Sequence, residues 1–511
     1  MALSLFDSAS LTGLDAVSVT IEVDVTRPEE PKSTVIIVGL PDAAVRESRD
    51  RVLSAVKNSG YRINSIYAVI NLAPGDLRKE GPLYDLPIAL GLLRSLGSLS
   101  PVENVQDYLV IGEMSLSGEM RPLQGALAIA MLARNLGKKG VLLPAQNAKE
   151  AAAVPGIKVF AIRHLSEAVD FFHNPTAYVE TKAEISEALF KNAPALIDFA
   201  DIKGQAHVKR AMEIAAAGGH NVLLSGPPGS GKTMLAKALI GIIPELSLEE
   251  ALEATKIHSI AGLLQEGKSL ITQRPFRSPH HTVSYAGLIG GGAIPRPGEV
   301  SLAHNGILFL DELPEFSRLV LEVLRQPLED RKVTISRAKG SFTFPTNFIC
   351  IAAMNPCPCG NLGHPRKICS DSFLQVERYK SKISGPLLDR IDMHIEVPAL
   401  DYGSIMTAHE GESSKVVRER VCLARERQKL RYGKVQTNAE MSSREISEYI
   451  PLDKACHDLL RHAVDVWGAS ARTCSRMLKV ALTISDLEGA TAVNEGHLLE
   501  AINFRNIEQQ K

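Results

Sequence analysis

Hydrophobic and polar positions along the first third of the chain predict strands and helices in turn. Short alternating or apolar runs such as SVTIEVDV, STVIIVGLP, SIYAVINLAP and YLVIGEMSLSGE predict strands, because successive side chains of a strand point to opposite faces. Between them, AAVRESRDRVLSAVKNSG and PIALGLLRSLGS carry the periodicity of helices. We therefore predict a mixed α/β domain over residues 1–175.

The pattern changes twice after this domain. Residues 176–197 are largely polar and are predicted to form a linker. Residues 198–400 contain the apolar runs NVLLSG, GILFLDEL and NFICIAAMN, which are typical of strands buried on both faces of a parallel sheet. Strand patterns disappear in residues 401–511, where helical periodicity predicts a bundle. The sequence thus predicts a multidomain α/β protein with a helical C-terminal region.

Composition narrows the classes of protein that this chain can represent. At 511 residues it is too long for one core, and its formal net charge of -1 requires any contact with nucleic acid to come from a local group of cations. No basic segment followed by an apolar one begins the chain, and no apolar run approaches the roughly 18 residues of a membrane helix. We therefore expect a cytoplasmic protein without a membrane partner. Seven cysteines, an odd number, argue for reduced thiols or a metal site and against a disulfide framework.

One segment carries the strongest chemical signal in the sequence. In HNVLLSGPPGSGKTMLAKALIG an apolar strand leads into G-x-x-x-x-G-K-T, and an amphipathic helix follows. Backbone N–H groups of such a loop bind phosphates, Lys232 reaches the terminal phosphates, and the Thr233 hydroxyl is suited to Mg²⁺. The predicted phosphate-binding residues are Gly226, Pro227, Pro228, Gly229, Ser230, Gly231, Lys232 and Thr233.

Two later strands end in polar residues that suit nucleotide hydrolysis. In GILFLDELPEF the apolar strand is followed by Asp311, a predicted ligand of the Mg²⁺ shell, and by Glu312, which can orient the attacking water. In NFICIAAMNP the apolar strand is followed by Asn355, whose amide can hold that water near the terminal phosphate. The cofactors predicted from these residues are ATP and Mg²⁺.

These segments together resemble the AAA+ ATPases, and more narrowly the magnesium-chelatase-like ComM/YifB family. The resemblance rests on RPFRSPHHTVSYAGLIGGGAIPRPGEVSLAHNGILFLDELPEF and ISGPLLDRIDMHIEV and extends over essentially the whole chain. It implies that Arg390 is a finger reaching the ATP of a neighbouring subunit, and that Arg472 senses nucleotide from the helical lid. Arg476 is a rival for the second role, and a carboxylate-paired structural arginine is the alternative for Arg390. The implied active unit is a ring, expected to be a homohexamer.

The N-terminal domain resembles the proteolytic domain of Lon proteases. This resemblance rests on VIGEMSLSGEMRPLQGALAIA and LAPGDLRKEGPLYDLPIALGLL. Proteolysis in that family needs a serine nucleophile and a lysine base. Here Leu83, Tyr84 and Asp85 stand where the serine is expected, and LQGALAIA has no lysine. We therefore predict a Lon-like fold that is not a protease, with a role in assembly or in DNA binding.

Two local features bear on what the ATPase would move. The segment DRKVTISRAKGSFTFPTN predicts a β-hairpin with Arg337 and Lys339 at its tip, which would bind a DNA backbone if it faced a ring channel. An exposed turn without such a role is the alternative. The Gly-rich segment GLIGGGAIPRPGEV, with Arg296, resembles a second pore insertion. The neighbouring His280 and His281 have two interpretations. They contact the nucleotide or the substrate in the pore, or they are ordinary polar residues of a loop.

The run CPCGNLGHPRKICSD leaves two interpretations open. Cys357, Cys359 and Cys369 can supply three ligands of a zinc site, with His364 or Asp371 as the fourth. The alternative is a set of reduced thiols in a loop rich in glycine and proline.

The sequence and its resemblance predict an Mg²⁺-dependent AAA+ ATPase that forms a ring and translocates on single-stranded or branched DNA. The family resemblance implies a helicase that drives branch migration in recombination during natural transformation. Two alternatives are a motor subunit that inserts magnesium into a porphyrin and a nucleotide-gated chaperone or remodelling factor that acts on proteins.

Overall fold

The fold is seen in a computed structural model that describes residues 3–26, 33–63, 65–99, 104–183, 185, 190, 197–265, 267–292, 295–337, 340–399 and 411–505. The described strands are β1 (Ser4–Thr12), β2 (Asp15–Thr26), β3 (Thr34–Val38), β4 (Tyr67–Ala73), β5 (Tyr108–Val110), β6 (Glu113–Met114), β7 (Met120–Arg121), β8 (Gly140–Pro144), β9 (Lys158–Ile162), β10 (Val222–Ser225), β11 (Phe276–Arg277), β12 (Gly290–Gly291), β13 (Arg296–Pro297), β14 (Ile307–Leu310), β15 (Lys332–Arg337), β16 (Gly340–Pro345), β17 (Ile349–Met354) and β18 (Met393–Glu396).

The described helices include both long amphipathic segments and single turns. They are α1 (Ala43–Asn58), α2 (Asp85–Ser95), α3 (Ala126–Asn135), α4 (Ala148–Ala151), α5 (Leu165–His173), α6 (Ala206–Gly218), α7 (Lys232–Ala238), α8 (Leu248–Ile260), α9 (Tyr285–Ile289), α10 (Glu299–Leu302), α11 (Arg318–Val323), α12 (Arg325–Asp330), α13 (Phe373–Lys380), α14 (Gly385–Leu388), α15 (Ser414–Tyr432), α16 (Ser443–Tyr449), α17 (Lys454–Trp467), α18 (Ala471–Glu488) and α19 (Glu495–Asn503). None of the described helices combines the length and apolar character that crossing a bilayer requires.

The first of two compact units comprises Met1–Leu189 together with Ser247–Thr272. Its sheet has seven strands in the order β3-β4-β2-β1-β5-β8-β9, with antiparallel pairs around β2 and parallel pairs from β1 to β9. Apolar side chains of α1, α2 and α5 cover this sheet and form one core with it. The mixed α/β fold predicted for this region is confirmed.

The segment Ser247–Thr272 lies in this first unit, although the sequence division assigned it to the second domain. The reason is a set of polar contacts made by α8. The Ser259 hydroxyl donates to the buried Glu150 carboxylate at 2.5 Å and accepts from the Gly125 N–H at 2.9 Å. The Lys256 ammonium reaches Asp15 at 2.6 Å. Hydrophobic periodicity does not reveal contacts between residues so far apart in the chain.

The second unit comprises Phe190–Leu246 and Gln273–Lys511. Its central sheet is wholly parallel, in the order β11-β14-β17-β10-β18. Every residue of β10, β14 and β17 is buried, as expected for strands covered on both faces. The parallel sheet and the helical C-terminal region predicted from the sequence are confirmed.

Helices α15 to α19 belong to this same unit and share its core. Val421 of α15 and Val480 of α18 lie in one apolar cluster with Val222 of β10. Local signals fix the ends of α18, because the Ser470 hydroxyl accepts from the Thr473 N–H at its start and Gly489, with φ of 75°, ends it. The helical region therefore packs on the sheet as part of a single core.

Candidate nucleotide site

The carboxyl ends of three neighbouring parallel strands bring the predicted phosphate and hydrolysis residues together. Strand β10 leads into the loop that begins at Gly226, β14 ends immediately before Asp311, and β17 ends immediately before Asn355. Because β14, β17 and β10 are adjacent and parallel, all three ends lie at one edge of the sheet. Gly229 and Gly231 have positive φ angles, which let the loop turn before α7 begins.

The Lys232 side chain is buried at the first position of α7. Its ammonium donates to the carbonyl oxygens of Gly226 at 2.7 Å and Pro227 at 3.0 Å, and to Oδ1 of Asn355 at 3.3 Å. Burial lowers the pKa of Lys232, and the charge of Asp311 opposes that shift. The lysine is thus held within the loop, where phosphate oxygens can take the place of the carbonyl acceptors.

Thr233 and Asp311 form the pair best suited to hold Mg²⁺. The Thr233 hydroxyl donates to Oδ2 of Asp311 at 3.1 Å, which places two oxygen ligands side by side at the N-terminus of α7. Hard oxygen donors are the ligands that Mg²⁺ prefers, so the residues present fit this ion. The other carboxylate oxygen of Asp311 accepts from the Glu312 N–H at 3.0 Å, which fixes its orientation.

Glu312 is held in an uncommon backbone conformation beside a histidine. Its φ is 53°, which is unusual for a residue with a side chain, and its side chain remains 58% exposed. One carboxylate oxygen lies 3.2 Å from Nδ1 of His281. The ring centroids of His280 and His281 are 4.1 Å apart. The sequence left the role of this histidine pair open, and the structure puts His281 at the carboxylate suited to orienting water.

A further residue at this edge was missed by sequence reasoning. The Gln205 side-chain amide donates to the Ser230 carbonyl at 2.9 Å and so ties the chain before α6 to the phosphate loop. Gln205 also lines a cavity of about 540 Å³, together with Phe199 and with charged side chains of α6 and α15 such as Arg210 and Arg420. The signal in the sequence was the short polar run DIKGQ, which has no periodicity of its own.

Arg390 and Arg472 of the same chain approach one carboxylate. The buried Arg390 guanidinium pairs with Glu329 and donates to the Pro386 carbonyl at 2.7 Å. Arg472, which is 65% exposed, lies 3.6 Å from the other oxygen of Glu329. The carboxylate partner of Arg390 is therefore Glu329, which the sequence did not single out, whereas its chain neighbour Asp392 pairs with Arg476.

Arg476 joins the helical region to the end of the sheet. Its guanidinium pairs with the buried Asp392 carboxylate and donates to the Arg390 carbonyl at 3.1 Å. Burial alone would raise the pKa of Asp392, but the Arg476 charge and the His220 side chain hold that pKa well below its ordinary value. Arg476 thus anchors α18 beside β18.

We expect Arg476→Met to lower the free energy of unfolding by about 3–5 kcal/mol, because it leaves a buried carboxylate without its cation. The matched control Arg472→Ala should change it by no more than about 0.5 kcal/mol, since Arg472 is largely exposed. Urea unfolding of the nucleotide-free chain, followed by circular dichroism, measures both. Equal stabilities for the two variants would contradict the anchoring role of Arg476.

In the N-terminal unit, the position expected for a nucleophilic serine holds a buried ion pair. Asp85 accepts from Nε of Arg51 at 2.9 Å, from Nη2 of Arg51 at 3.1 Å and from the Met114 N–H at 3.2 Å. Burial raises the pKa of Asp85, and the Arg51 hydrogen bonds oppose this shift. The neighbouring Tyr84 is fully buried, and the Leu83 side chain carries no nucleophile, so none of these three residues supplies the hydroxyl of a catalytic serine.

We expect no ATP-stimulated cleavage of an unfolded protein by this chain, because the serine nucleophile is missing. A fluorescent peptide-release assay with and without ATP checks this. The Lys232→Ala variant is the control that separates contaminating protease from activity of the chain. Cleavage that needs Lys232 and is blocked by a serine-reactive inhibitor would overturn the prediction.

Two hairpins of the second unit lie against each other. Strands β15 and β16 pair from Lys332 and Pro345 to Arg337 and Gly340, and Arg337 is exposed near the turn. A Cβ on Gly291 of the β12–β13 hairpin would lie 3.5 Å from Nη2 of Arg337. Arg296, on that second hairpin, is also exposed. Lys339, the other predicted DNA contact, lies outside the described residues.

The cysteine run folds into a compact cluster of ligand atoms. Donor atoms of Cys357, Cys359, Cys369 and Asp371 all lie within 4.8 Å of one another. His364 is not part of this group. Its Nδ1 accepts hydrogen bonds from the N–H of Arg366 at 3.0 Å and from the N–H of Lys367 at 3.2 Å. Of the two fourth ligands considered from the sequence, the structure favours the aspartate.

Comparison with protein families matches nearly the whole chain to one group. Three models match: "Magnesium chelatase, subunit ChlI" over residues 198–405, "Subunit ChlI of Mg-chelatase" over 21–147 and "Magnesium chelatase, subunit ChlI C-terminal" over 411–505. The YifB protein of Salmonella typhimurium is 42% identical over 514 residues, which cover 100% of this chain and 98% of that protein.

Two further relatives extend this comparison. Competence protein ComM of Haemophilus influenzae is 41% identical over 512 residues, covering 99% of this chain and 98% of that protein. Lon protease 2 of Bacillus subtilis is 26% identical over 246 residues, covering 43% of this chain and 44% of that protein. The similarity to a Lon protease is thus weaker and partial.

Proposed function

This chain belongs to the YifB/ComM family of magnesium-chelatase-like AAA+ ATPases, and from that membership we propose that it hydrolyses ATP with Mg²⁺ to translocate on DNA. The observation that carries the ATPase part is the convergence of Lys232, Asp311 and Asn355 at the ends of adjacent parallel strands. The cavity that Gln205 lines is the proposed pocket for the nucleoside, because the Gln205 side chain also contacts the phosphate loop at the Ser230 carbonyl.

In this proposal, each polar side chain has one task in ATP hydrolysis. The loop N–H groups and Lys232 bind the phosphates, Glu312 orients the attacking water and takes its proton, and Asn355 holds that water in place. Thr233 and Asp311 would hold Mg²⁺, which when bound neutralises charge on the phosphate oxygens.

The DNA part of the proposal is supported by the two adjacent hairpins. Arg296 and Arg337 are exposed on neighbouring hairpins of a chain that is almost neutral overall, so they are candidates for a local phosphate-binding surface. The Haemophilus influenzae relative is named a competence protein. We extend this to a cytoplasmic homohexamer that translocates on single-stranded or branched DNA and drives branch migration in recombination during natural transformation. Light scattering with ATP measures the ring size, and cell fractionation tests the location.

We expect the double variant Arg337→Ala/Lys339→Ala to bind DNA more weakly and with a flatter salt dependence. Each lost phosphate contact should reduce the slope of log K against log salt by about one unit or less per subunit. Basal ATP hydrolysis should remain, whereas its stimulation by DNA should fall. Fluorescence anisotropy at several salt concentrations measures the slope.

The matched control removes two exposed cations from α17, as Lys454→Ala/Arg461→Ala, and should leave DNA binding unchanged. If the hairpin variant binds and unwinds DNA as well as the native chain, the hairpin does not contact DNA. Arg296 and the N-terminal unit would then be the next candidates.

The main alternative comes from the family models, which are named for subunit ChlI of magnesium chelatase. A chain of that activity would couple ATP hydrolysis to magnesium insertion into a porphyrin. A chaperone or remodelling activity on protein is the other alternative. Stimulation of ATP hydrolysis by DNA, by porphyrin or by unfolded protein distinguishes the three.

A further inference from the structure

The loop between β17 and α13 places three sulfur atoms at the corners of a nearly equilateral triangle. The Sγ atoms of Cys357 and Cys359 are 3.4 Å apart, those of Cys359 and Cys369 are 3.5 Å apart, and those of Cys357 and Cys369 are 3.6 Å apart. A disulfide would require about 2.05 Å, so none of these pairs is bonded. The three thiols therefore converge on one point without cross-linking.

These separations are close to those around a tetrahedral zinc ion. Zinc–sulfur bonds of about 2.3 Å at tetrahedral angles separate two sulfur ligands by about 3.8 Å. The loop thus needs to expand by only a few tenths of an ångström to accept the ion. The Asp371 carboxylate lies beside the three sulfur atoms and can supply the fourth ligand. Its Oδ2 is 3.8 Å from Sγ of Cys369 and accepts a hydrogen bond from the Cys359 N–H at 2.8 Å.

The loop also shows the backbone support typical of a thiolate site. The Leu362 N–H donates to Sγ of Cys357 at 3.3 Å, and the Gly360 N–H donates to the Cys357 carbonyl at 3.0 Å, which closes the turn between the first two cysteines. Cys357 is fully buried, whereas Cys359 and Cys369 are partly exposed, which leaves a route for the ion. We propose that Cys357, Cys359, Cys369 and Asp371 bind one structural Zn²⁺ ion.

The position of this loop gives the ion a consequence at the nucleotide site. Cys357 lies two residues after Asn355, whose side chain accepts from Lys232. Gly360, in the turn held by the first two cysteines, lies against the phosphate loop, because a Cβ at this position would be 2.6 Å from Cδ of Pro228. Bound zinc would therefore hold the loop in place against Pro228 and keep Asn355 in position.

Zinc content tests the site without relying on ATP hydrolysis or DNA. We expect the purified native chain to contain about one zinc per chain by inductively coupled plasma mass spectrometry. Cys359→Ser and Cys369→Ser should each lose at least about tenfold in zinc affinity in a chelator competition. Cys422→Ser, which removes a partly exposed thiol elsewhere in the second unit, is the matched control and should retain the ion.

Two further measurements keep the test decisive if a serine variant fails to fold. Asp371→Cys supplies a fourth thiolate and should retain zinc at least as well as the native chain. Substitution of Co²⁺ into the native chain should give the absorption bands of a tetrahedral thiolate site. A native chain with no zinc, zinc equally tight in both serine variants, or an iron–sulfur chromophore in place of zinc would overturn the proposal.

The link to the nucleotide site has its own readout and rests on the proposed ATP site. Removing zinc from the native chain should raise the dissociation constant of a fluorescent ATP analogue by about threefold or more. If the loop is in place in only a fraction of the molecules, the apparent affinity for the nucleotide is reduced by that fraction. Adding zinc back should restore it. Unchanged nucleotide affinity in a zinc-free, folded chain would overturn the effect of zinc on the nucleotide site, but not the zinc site itself. Failure of the native chain to bind ATP would instead contradict the proposed function.

Discussion

The Glu312→Gln variant should bind ATP as tightly as the native chain and hydrolyse it at least about 10²-fold more slowly. Its amide keeps the size of the side chain but cannot take a proton from the attacking water. Lys232→Ala should instead lose ATP binding, because the buried ammonium is the cation of the phosphate loop. Binding of a fluorescent ATP analogue and release of phosphate measure the two steps separately.

Two neighbouring residues serve as controls for this pair. Glu315→Gln changes an exposed carboxylate just beyond Glu312, and Lys237→Ala removes an exposed ammonium from the same helix as Lys232. Both controls should keep ATP binding and turnover close to those of the native chain. Equal ATP affinity and turnover in the native chain, Glu312→Gln and Lys232→Ala would contradict the assignment of the site.

An Arg390→Ala variant should lose ATP turnover by about 10³–10⁵-fold if this guanidinium serves the ATP of a neighbouring subunit. Mixed with Glu312→Gln subunits, it should recover part of that activity, because some interfaces then combine an intact Glu312 with an intact Arg390. Phosphate release from mixed oligomers, with their formation checked by light scattering, measures the recovery.

The pairing of Arg390 with Glu329 sharpens this experiment. A finger must leave Glu329 to reach another subunit, so Glu329→Gln should retain most of the ATP turnover. A structural arginine would need that carboxylate, and Glu329→Gln would then fail as Arg390→Ala does. No recovery in mixed oligomers, together with loss of turnover in Glu329→Gln, would show that Arg390 acts only within its own subunit.

The phosphate loop and the strands beside it could be predicted because their signals are local. Lys232 stands directly after a buried strand and a Gly-rich turn, and Asp311 and Asn355 each follow an apolar run. Adjacent parallel strands then bring such residues to one edge. The strand alternation around Arg337 likewise predicted the β15–β16 pair.

The remaining parts of the site depend on contacts between residues far apart in the sequence. The partner of Arg390 is Glu329, 61 positions earlier, although Asp389 and Asp392 are its neighbours in the chain. His281 reaches Glu312 only because β11 and β14 are adjacent in the sheet. The contacts that α8 makes within the first unit include that of Ser259 with Glu150, 109 positions away. No local periodicity encodes such pairs.

The rate of ATP hydrolysis with and without DNA tests the central proposal most directly. The purified chain should hydrolyse ATP about threefold faster or more when single-stranded or branched DNA is added. DNA in the channel would favour the arrangement of the ring that is competent for hydrolysis. Porphyrin with Mg²⁺ and an unfolded protein, tested in parallel, should not raise the rate. An ATP-hydrolysing oligomer whose rate does not respond to DNA, or responds to porphyrin or unfolded protein instead, would contradict translocation on DNA.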